Sequence, residues 1–225
     1  MQREEFYAAL PGALLPWYAS HARDLPWRRD REPYHVWLSE IMLQQTRVEA
    51  VRGYYLRFLD AFPTLRDLAA ADEARLLKLW EGLGYYSRAR NLQKAARVLC
   101  DEYGGVFPDT REALEGLPGV GPYTAGAVAS ICFERPCAAV DGNVLRVLSR
   151  LTADGAPVDL PATRADIAAR LEAVYPAGAC GAFTQALMEL GAVVCTPKSP
   201  KCGLCPANGF CLAAARGETA RYPVR

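Results

Sequence analysis

Thr110-Arg111-Glu112-Ala113-Leu114-Glu115-Gly116-Leu117-Pro118-Gly119-Val120-Gly121-Pro122-Tyr123-Thr124-Ala125 is the stretch that decides the fold. Thr110 suits a helix cap, and Ala113, Leu114 and Leu117 carry the apolar stripe of a short helix. Gly119 and Gly121 then fall where the backbone must turn sharply, and Pro122 fits the first turn of the helix that follows. The whole reads as a helix–hairpin–helix over about residues 110–133. A turn of this kind aims unpaired N–H groups outward at a helix N-terminus, where they suit a phosphate oxygen. Gly119 and Gly121 are therefore candidate phosphate contacts, although such a turn also serves as a plain connection.

Outward from the hairpin, apolar positions three and four apart recur and no segment alternates, so the chain is predicted to be all-α. One helix opens at Pro33 and carries Val36, Leu38, Ile41, Met42 and Leu43. Thr46 is expected to cap the next, which runs to Phe62-Pro63. Thr64 caps a short successor, Asp72-Glu73 start a helix ending at Trp80, and Gly82-Leu83-Gly84 separates it from one running from about Tyr85 to Tyr103. Later helices are expected at about 143–152, 161–174, 181–194 and just after Cys211. Near the start, Pro16 is expected to kink a helix beginning at Pro11 or to delay its start. Trp80, Tyr86 and Leu43 fall on apolar stripes and read as core.

The chain has 225 residues, 51% hydrophobic and 23% charged, which suits one large domain or two small ones sharing a core. No run approaches the ~18 apolar residues of a membrane span. The formal net charge of +1 means that any phosphate-binding surface must come from local placement of charge.

Four cysteines near the end, Cys195-x6-Cys202-x2-Cys205-x5-Cys211, could enclose one metal centre. Only Cys202 and Cys205 form a close knuckle, whereas zinc ribbons usually present two, so the uneven spacing favours an iron–sulfur cluster with one thiolate per iron. No apolar signal segment opens at Met1-Gln2-Arg3-Glu4-Glu5, which suggests a reducing compartment. Cys100, Cys132, Cys137 and Cys180 lie in apolar stretches and read as small buried hydrophobes.

Two carboxylates stand out. Asp141 follows an apolar run just ahead of a helix, where it could simply be a cap. Glu40 lies within Val36-Trp37-Leu38-Ser39-Glu40-Ile41-Met42-Leu43, where an ionised group costs energy unless it is paired or functional. Partial burial would raise its pKa and make it a proton donor near neutral pH, whereas a solvent-facing position would make it ordinary.

Leu25-Pro26-Trp27-Arg28, Trp37 to Thr46, Gly82-Leu83-Gly84-Tyr85-Tyr86, Leu117 to Gly121, Val140-Asp141-Gly142-Asn143 and the four cysteines together resemble the adenine DNA glycosylase (MutY) family, from about Leu25 to Cys211 and in the family's order. Hairpin, aspartate and cysteines are shared with the endonuclease III superfamily. Glu40-Ile41-Met42-Leu43-Gln44-Gln45-Thr46 with Gly82-Leu83-Gly84-Tyr85-Tyr86 belongs to the adenine-removing branch. The resemblance implies a helix–hairpin–helix DNA glycosylase fold, with a six-helix barrel lobe over 30–135 and an iron–sulfur cluster lobe formed by 1–29 and 136–225. It also implies a monomer acting on double-stranded DNA in a bacterial cytoplasm or another reducing, DNA-containing compartment, with adenine opposite 8-oxoguanine or guanine turned out of the duplex.

By the same resemblance, Glu40 protonates adenine N7, Asp141 stabilises the oxocarbenium-like sugar, Tyr123 supports that site and Asn143 holds Asp141. Arg28 and Gln185 would lie near the adenine, while Gln45, Thr46, Leu83 and Tyr85 would enter or line the duplex around the opposite guanine. Cys195, Cys202, Cys205 and Cys211 would hold a [4Fe-4S] cluster. Lyase relatives carry a lysine where this chain has Tyr123, so a monofunctional glycosylase is expected. The family's 8-oxoguanine-recognition domain would be missing after Arg225. Two other readings stay open: a mismatch thymine or uracil glycosylase, and a non-catalytic, cluster-bearing DNA-binding protein.

Overall fold

A computed structural model describes residues 3–225; Met1 and Gln2, with which the lobe expected over 1–29 begins, lie outside the described residues. Among the described residues there is no β-strand. In chain order the α-helices are α1 (Arg3–His21), α2 (Pro33–Leu43), α3 (Val48–Ala61), α4 (Leu65–Ala70), α5 (Glu73–Trp80), α6 (Ser87–Glu102), α7 (Arg111–Glu115), α8 (Pro122–Phe133), α9 (Gly142–Thr152), α10 (Pro161–Glu172), α11 (Cys180–Val193) and α12 (Leu212–Ala215). Among these residues no helix is long and apolar enough to cross a membrane. Backbone contacts divide the chain into two compact units, Asp24–Phe133 and a second made of both chain ends, Met1–Arg23 with Glu134–Arg225.

In the central unit α2 and α8 pack against each other, with α3 and α6 against α2 and α7 against α8. Both α2 and α8 are apolar nearly all round, so they form the interior instead of presenting one stripe. Every residue of α8 from Thr124 to Ile131 is buried, and its run of Ala and Gly lets neighbouring backbones come close. Side-chain caps hold three of the shorter helices. Thr64 and Asp67 form a reciprocal capping box on α4, Asp72 accepts from the Arg75 N–H on α5, and Thr110 accepts from the Ala113 N–H on α7.

The unit of the two chain ends packs α11 against α9 and α1 against α11, with α12 on α9. Here the expected start near Pro11 or later is overturned. Pro11 and Pro16 both lie inside α1, which runs unbroken from Arg3 to His21. The buried face of Phe6, Tyr7, Leu10, Leu14 and Trp17 explains it: five large side chains at ~1.5–3 kcal/mol each outweigh ~3 kcal/mol per proline. Thr46 does not cap α3. That position belongs to Arg47, without a side-chain cap, and the Thr46 hydroxyl turns back to the Gln44 carbonyl at 3.3 Å. Helix α6 starts at Ser87, because Tyr85 adopts φ 48°, which no right-handed helix contains. Tyr86 thereby becomes a cap residue at 39% exposure and not part of the core, while Trp80 is fully buried and Leu43 half-buried.

Candidate active site and cysteine pocket

Glu40 lies on the interior helix α2 and is only 6% exposed. The phenol of Tyr123, from the second residue of α8, donates to its Oε2 at 2.6 Å. This contact joins the two helices that make up the centre of the unit, so the hairpin that sets the start of α8 also sets what Glu40 meets. Gly119 in that hairpin has φ 77°, and a Cβ there would come within 2.7 Å of the Asn91 Cβ. Both its conformation and its surroundings therefore call for glycine. Gly119 and Gly121 are exposed, at a turn leading into a helix N-terminus. Arg28 is half-buried on a short 3-10 turn, Pro26–Arg28.

The residues expected to meet a duplex divide into outward and inward. Gln45 is exposed with φ 57°, Tyr85 is 63% exposed with φ 48°, and Thr46 is half-buried. Leu83 is buried at 6% exposure, so it is a core side chain here and does not stand out to be inserted. Its two flanking glycines form the turn, and the only large apolar side chain between them folds inward.

In the other unit Asp141 is the N-cap of α9. It accepts from the Val144 N–H at 2.8 Å through Oδ1 and from the Asn143 side-chain amide at 2.7 Å through Oδ2. Burial raises its carboxyl above the ordinary 3.8, and the Val144 and Asn143 hydrogen bonds and the Arg146 charge act in the opposite direction without overcoming it. Asn143 is itself held: its Oδ1 accepts from Arg146 Nη2 at 2.8 Å, and a Cβ on Gly191 of α11 would lie 2.5 Å from the Asn143 Cβ. Gln185, also on α11, accepts from the Tyr18 phenol at 2.6 Å.

Cys195, Cys202, Cys205 and Cys211 line one cavity with Val147, Arg150, Leu190, Val194 and Ala207. All are free thiols, as are Cys100, Cys132, Cys137 and Cys180, of which Cys180 is buried and the others half-buried. Burial pushes the Cys205 thiol up to about 11 and raises Cys211 as well. Thiolates here therefore need positive charge beside them. Arg150 supplies some, since its Nη1 donates to the Cys195 Sγ at 3.5 Å and to the Thr196 carbonyl at 2.7 Å. The thiols do not close on one point: among the described residues no three His, Cys, Asp or Glu side chains are grouped to hold a single metal ion.

Several arginines and their partners escaped the sequence reading. Arg146 bonds the Cys195 carbonyl at 2.8 Å as well as Asn143, which makes an unbroken hydrogen-bonded path from the cysteine loop to Asp141. Arg23 holds the fully buried Glu189 of α11 through a bidentate pair at 2.7 and 2.8 Å. A signal was available for Arg146 and Arg150: two charges four apart in Val144-Leu145-Arg146-Val147-Leu148-Ser149-Arg150-Leu151 cannot both avoid an apolar surround, and they are 8% and 2% exposed.

Residues 38–171 match the family described as HhH-GPD superfamily base excision DNA repair protein. The human protein named adenine DNA glycosylase is 48% identical over 219 residues, covering 93% of this chain and 40% of that protein. The chain thus spans less than half the length of that relative. Among solved structures, a thermostable thymine-DNA glycosylase gives a TM-score of 0.84 at 29% identity, with 94% of this chain and 98% of that one covered. An endonuclease III in a non-covalent DNA complex gives 0.79 at 25%, with 96% and 98% covered. With the hairpin, the all-helical architecture and a family match over more than half of its length, this chain belongs to the HhH-GPD superfamily of base excision DNA repair proteins.

Proposed function

We propose that this chain is the catalytic region of a monofunctional adenine DNA glycosylase, which hydrolyses the N-glycosidic bond of adenine mispaired with 8-oxoguanine or guanine in double-stranded DNA. The observation that carries the reading is the buried carboxylate of Glu40, held by Tyr123 inside an otherwise apolar helical core. Packing alone gives no reason to keep a carboxylate there, because burying it costs several kcal/mol. A proton donor shielded from water has such a reason.

In this reading the duplex binds through the hairpin backbone at Gly119 and Gly121, while Gln45, Thr46 and Tyr85 meet the strand around the guanine. The adenine is turned out and held near Arg28 and Gln185. Glu40 gives a proton to adenine N7, so that when the bond between the sugar C1′ and N9 breaks, the electron pair leaves with a neutral base. The sugar is left as an oxocarbenium ion, and ionised Asp141, positioned by Asn143, stabilises it. Water then adds its oxygen to C1′ and gives up a proton, leaving an abasic site in an intact strand. Tyr123 offers no amine at the place where lyase relatives carry lysine, so the strand is not cut.

Cys195, Cys202, Cys205 and Cys211 would hold a [4Fe-4S] cluster, and four thiols spread round one otherwise mostly apolar cavity fit such a group. When bound, the cluster would fix the loop over residues 195–211 and supply the positive charge that buried thiolates require. The barrel and cluster lobes over 30–135 and over 1–29 with 136–225, a monomeric state and a reducing, DNA-containing compartment complete the proposal.

A release assay tests it. Duplexes carrying adenine opposite 8-oxoguanine or guanine should yield free adenine, while thymine and uracil opposite guanine should stay in place. The likeness in structure to a thymine-DNA glycosylase, at lower identity than the adenine DNA glycosylase relative, is what keeps a second reading, a mismatch thymine or uracil enzyme, and release of either pyrimidine without adenine would establish it instead.

A further inference from the structure

Two loops of the central unit, around residues 44–47 and 81–86, each hold a non-glycine residue at positive φ, Gln45 at 57° and Tyr85 at 48°. Side chains other than glycine and asparagine avoid this region, and they stay there only where the surroundings leave no alternative. Both side chains point outward, Tyr85 at 63% exposure, so neither is kept in place by its own burial.

One guanidinium supplies what they lack. Arg88, in the first turn of α6, sends Nη1 to the carbonyls of Ile41 at 2.9 Å, Met42 at 3.1 Å and Gln44 at 2.5 Å. Its Nη2 reaches the Thr46 hydroxyl at 3.4 Å and the carbonyls of Leu83 at 2.9 Å and Gly84 at 3.2 Å. The same group stands over the rings of Trp80 and Tyr85, 5.5 and 5.6 Å from their centroids. Nη1 thus holds the end of α2 and the start of the first loop, while Nη2 ties that loop at Thr46 to the second loop at Leu83 and Gly84. Burial is the largest influence on Arg88 and works against its charge, and its Nε is buried without a hydrogen-bond partner. A cation kept at that cost, with its donors spread over two loops, is poorly explained as a general fold stabiliser. Lysine cannot replace it, because a compact ammonium lacks the planar fork that spans two separate acceptor sets.

We infer that Arg88 is a positioning residue that clasps the two loops into one rigid platform, from which Gln45 and Tyr85 project already ordered toward the duplex. The inference rests on the reading that those two side chains meet DNA. Its consequence is preorganisation: the loops are ordered during folding, and mispair binding does not have to order them again.

A double-mutant cycle on mispair affinity separates this from a merely structural role, measured with Glu40→Gln present in every protein so that the adenine stays in place. Arg88→Lys should weaken binding to an adenine:8-oxoguanine duplex about thirty-fold, and Gln45→Ala with Tyr85→Ala should weaken it comparably. Added to that pair, Arg88→Lys should cost little more, because the side chains it positions are already gone. Full additivity would overturn the clasp while leaving the two side chains as DNA contacts. Native affinity in the Gln45→Ala/Tyr85→Ala protein would instead remove the reading on which the inference rests. Should Arg88→Lys fold poorly, Arg88→Gln examined by amide hydrogen exchange gives the same decision. Faster exchange at 44–46 and 82–85 together, with α8 unchanged, supports the clasp; a change in one loop alone or throughout the unit defeats it.

Discussion

The two carboxylates are held by opposite strategies. Asp141 is fixed by its own neighbourhood, a helix cap whose partners Val144 and Asn143 lie three and two residues away. Glu40 is fixed by the fold, because its partner Tyr123 lies 83 residues along the chain on a different helix. A locally held group keeps its geometry as long as one helix start survives. A globally held group depends on the packing of α2 on α8, and so on the hairpin that begins α8. The proposed chemistry follows the same division: the candidate proton donor sits in the buried interior, and the candidate partner of the cation sits at the edge of a helix with hydrogen bonds on both oxygens.

Removing the acid should have the largest effect. Glu40→Gln keeps shape and packing, and adenine excision at saturating protein is expected to fall by about 10²–10⁴-fold, the range typical of a positioned acid, with duplex affinity nearly intact. Single-turnover rates check this, and a native rate would end the assignment of Glu40 as donor.

Asp141→Asn comes next, at about 10²–10³-fold in rate, from losing the charge that faces the developing cation. Here the two carboxylates can be told apart by stability. Since burial lifts the folded-state pKa of Asp141 above its unfolded value, the stability linked to it is full below the ordinary 3.8 and is lost as pH rises through the folded value. Above that folded value the native protein has lost it. The asparagine variant should be at least as stable as the native protein there by thermal melting, although far less active. For the same reason the acid limb of kcat/KM for the native protein should lie above 3.8, if the ionised form is the active one.

Gly191→Ala probes the support behind Asp141. The new methyl would collide with Asn143 and push it away from both Asp141 and Arg146. Excision is expected to drop about ten- to a hundred-fold, as when a positioned catalytic group is displaced by about an ångström. A variant with native activity would show that Asp141 is held by its cap alone.

How far the sequence was legible follows from the same local and global division. Helix starts marked by Pro33, Thr64, Asp72, Thr110 and Pro122 could be read because caps and first-turn prolines act within a few residues. Asp141 as a cap was readable for that reason too. What could not be read was decided at a distance. The buried face of α1 overrode two prolines, Leu83 turned inward although its neighbours Gln45 and Tyr85 face out, and Arg88 took its partners from two loops. Glu40 lies between these cases. Its apolar setting marked it as unusual, but only packing could show that it is buried and which side chain meets it.

Tyr123→Phe should give the smallest effect and the sharpest test of the comparison. The substitution removes one hydroxyl and leaves the ring, so α2 and α8 should pack as before. What goes is a hydrogen bond of 2.6 Å to Glu40, and bonds to charged groups are worth about 1.5–3 kcal/mol. Because Glu40 loses a proton in the proposed reaction, the phenol would act mainly on the carboxylate left behind, and a rate loss of about ten-fold is expected with unchanged duplex affinity. Without that donor the ionised form of Glu40 is less favoured, so its pKa should rise and the basic limb of the rate profile, where the acid is lost, should move to higher pH. A lower rate with an unmoved profile would mean that Tyr123 only fills space beside Glu40, and the contrast between a globally held acid and a locally held cation-stabilising carboxylate would lose its chemical half.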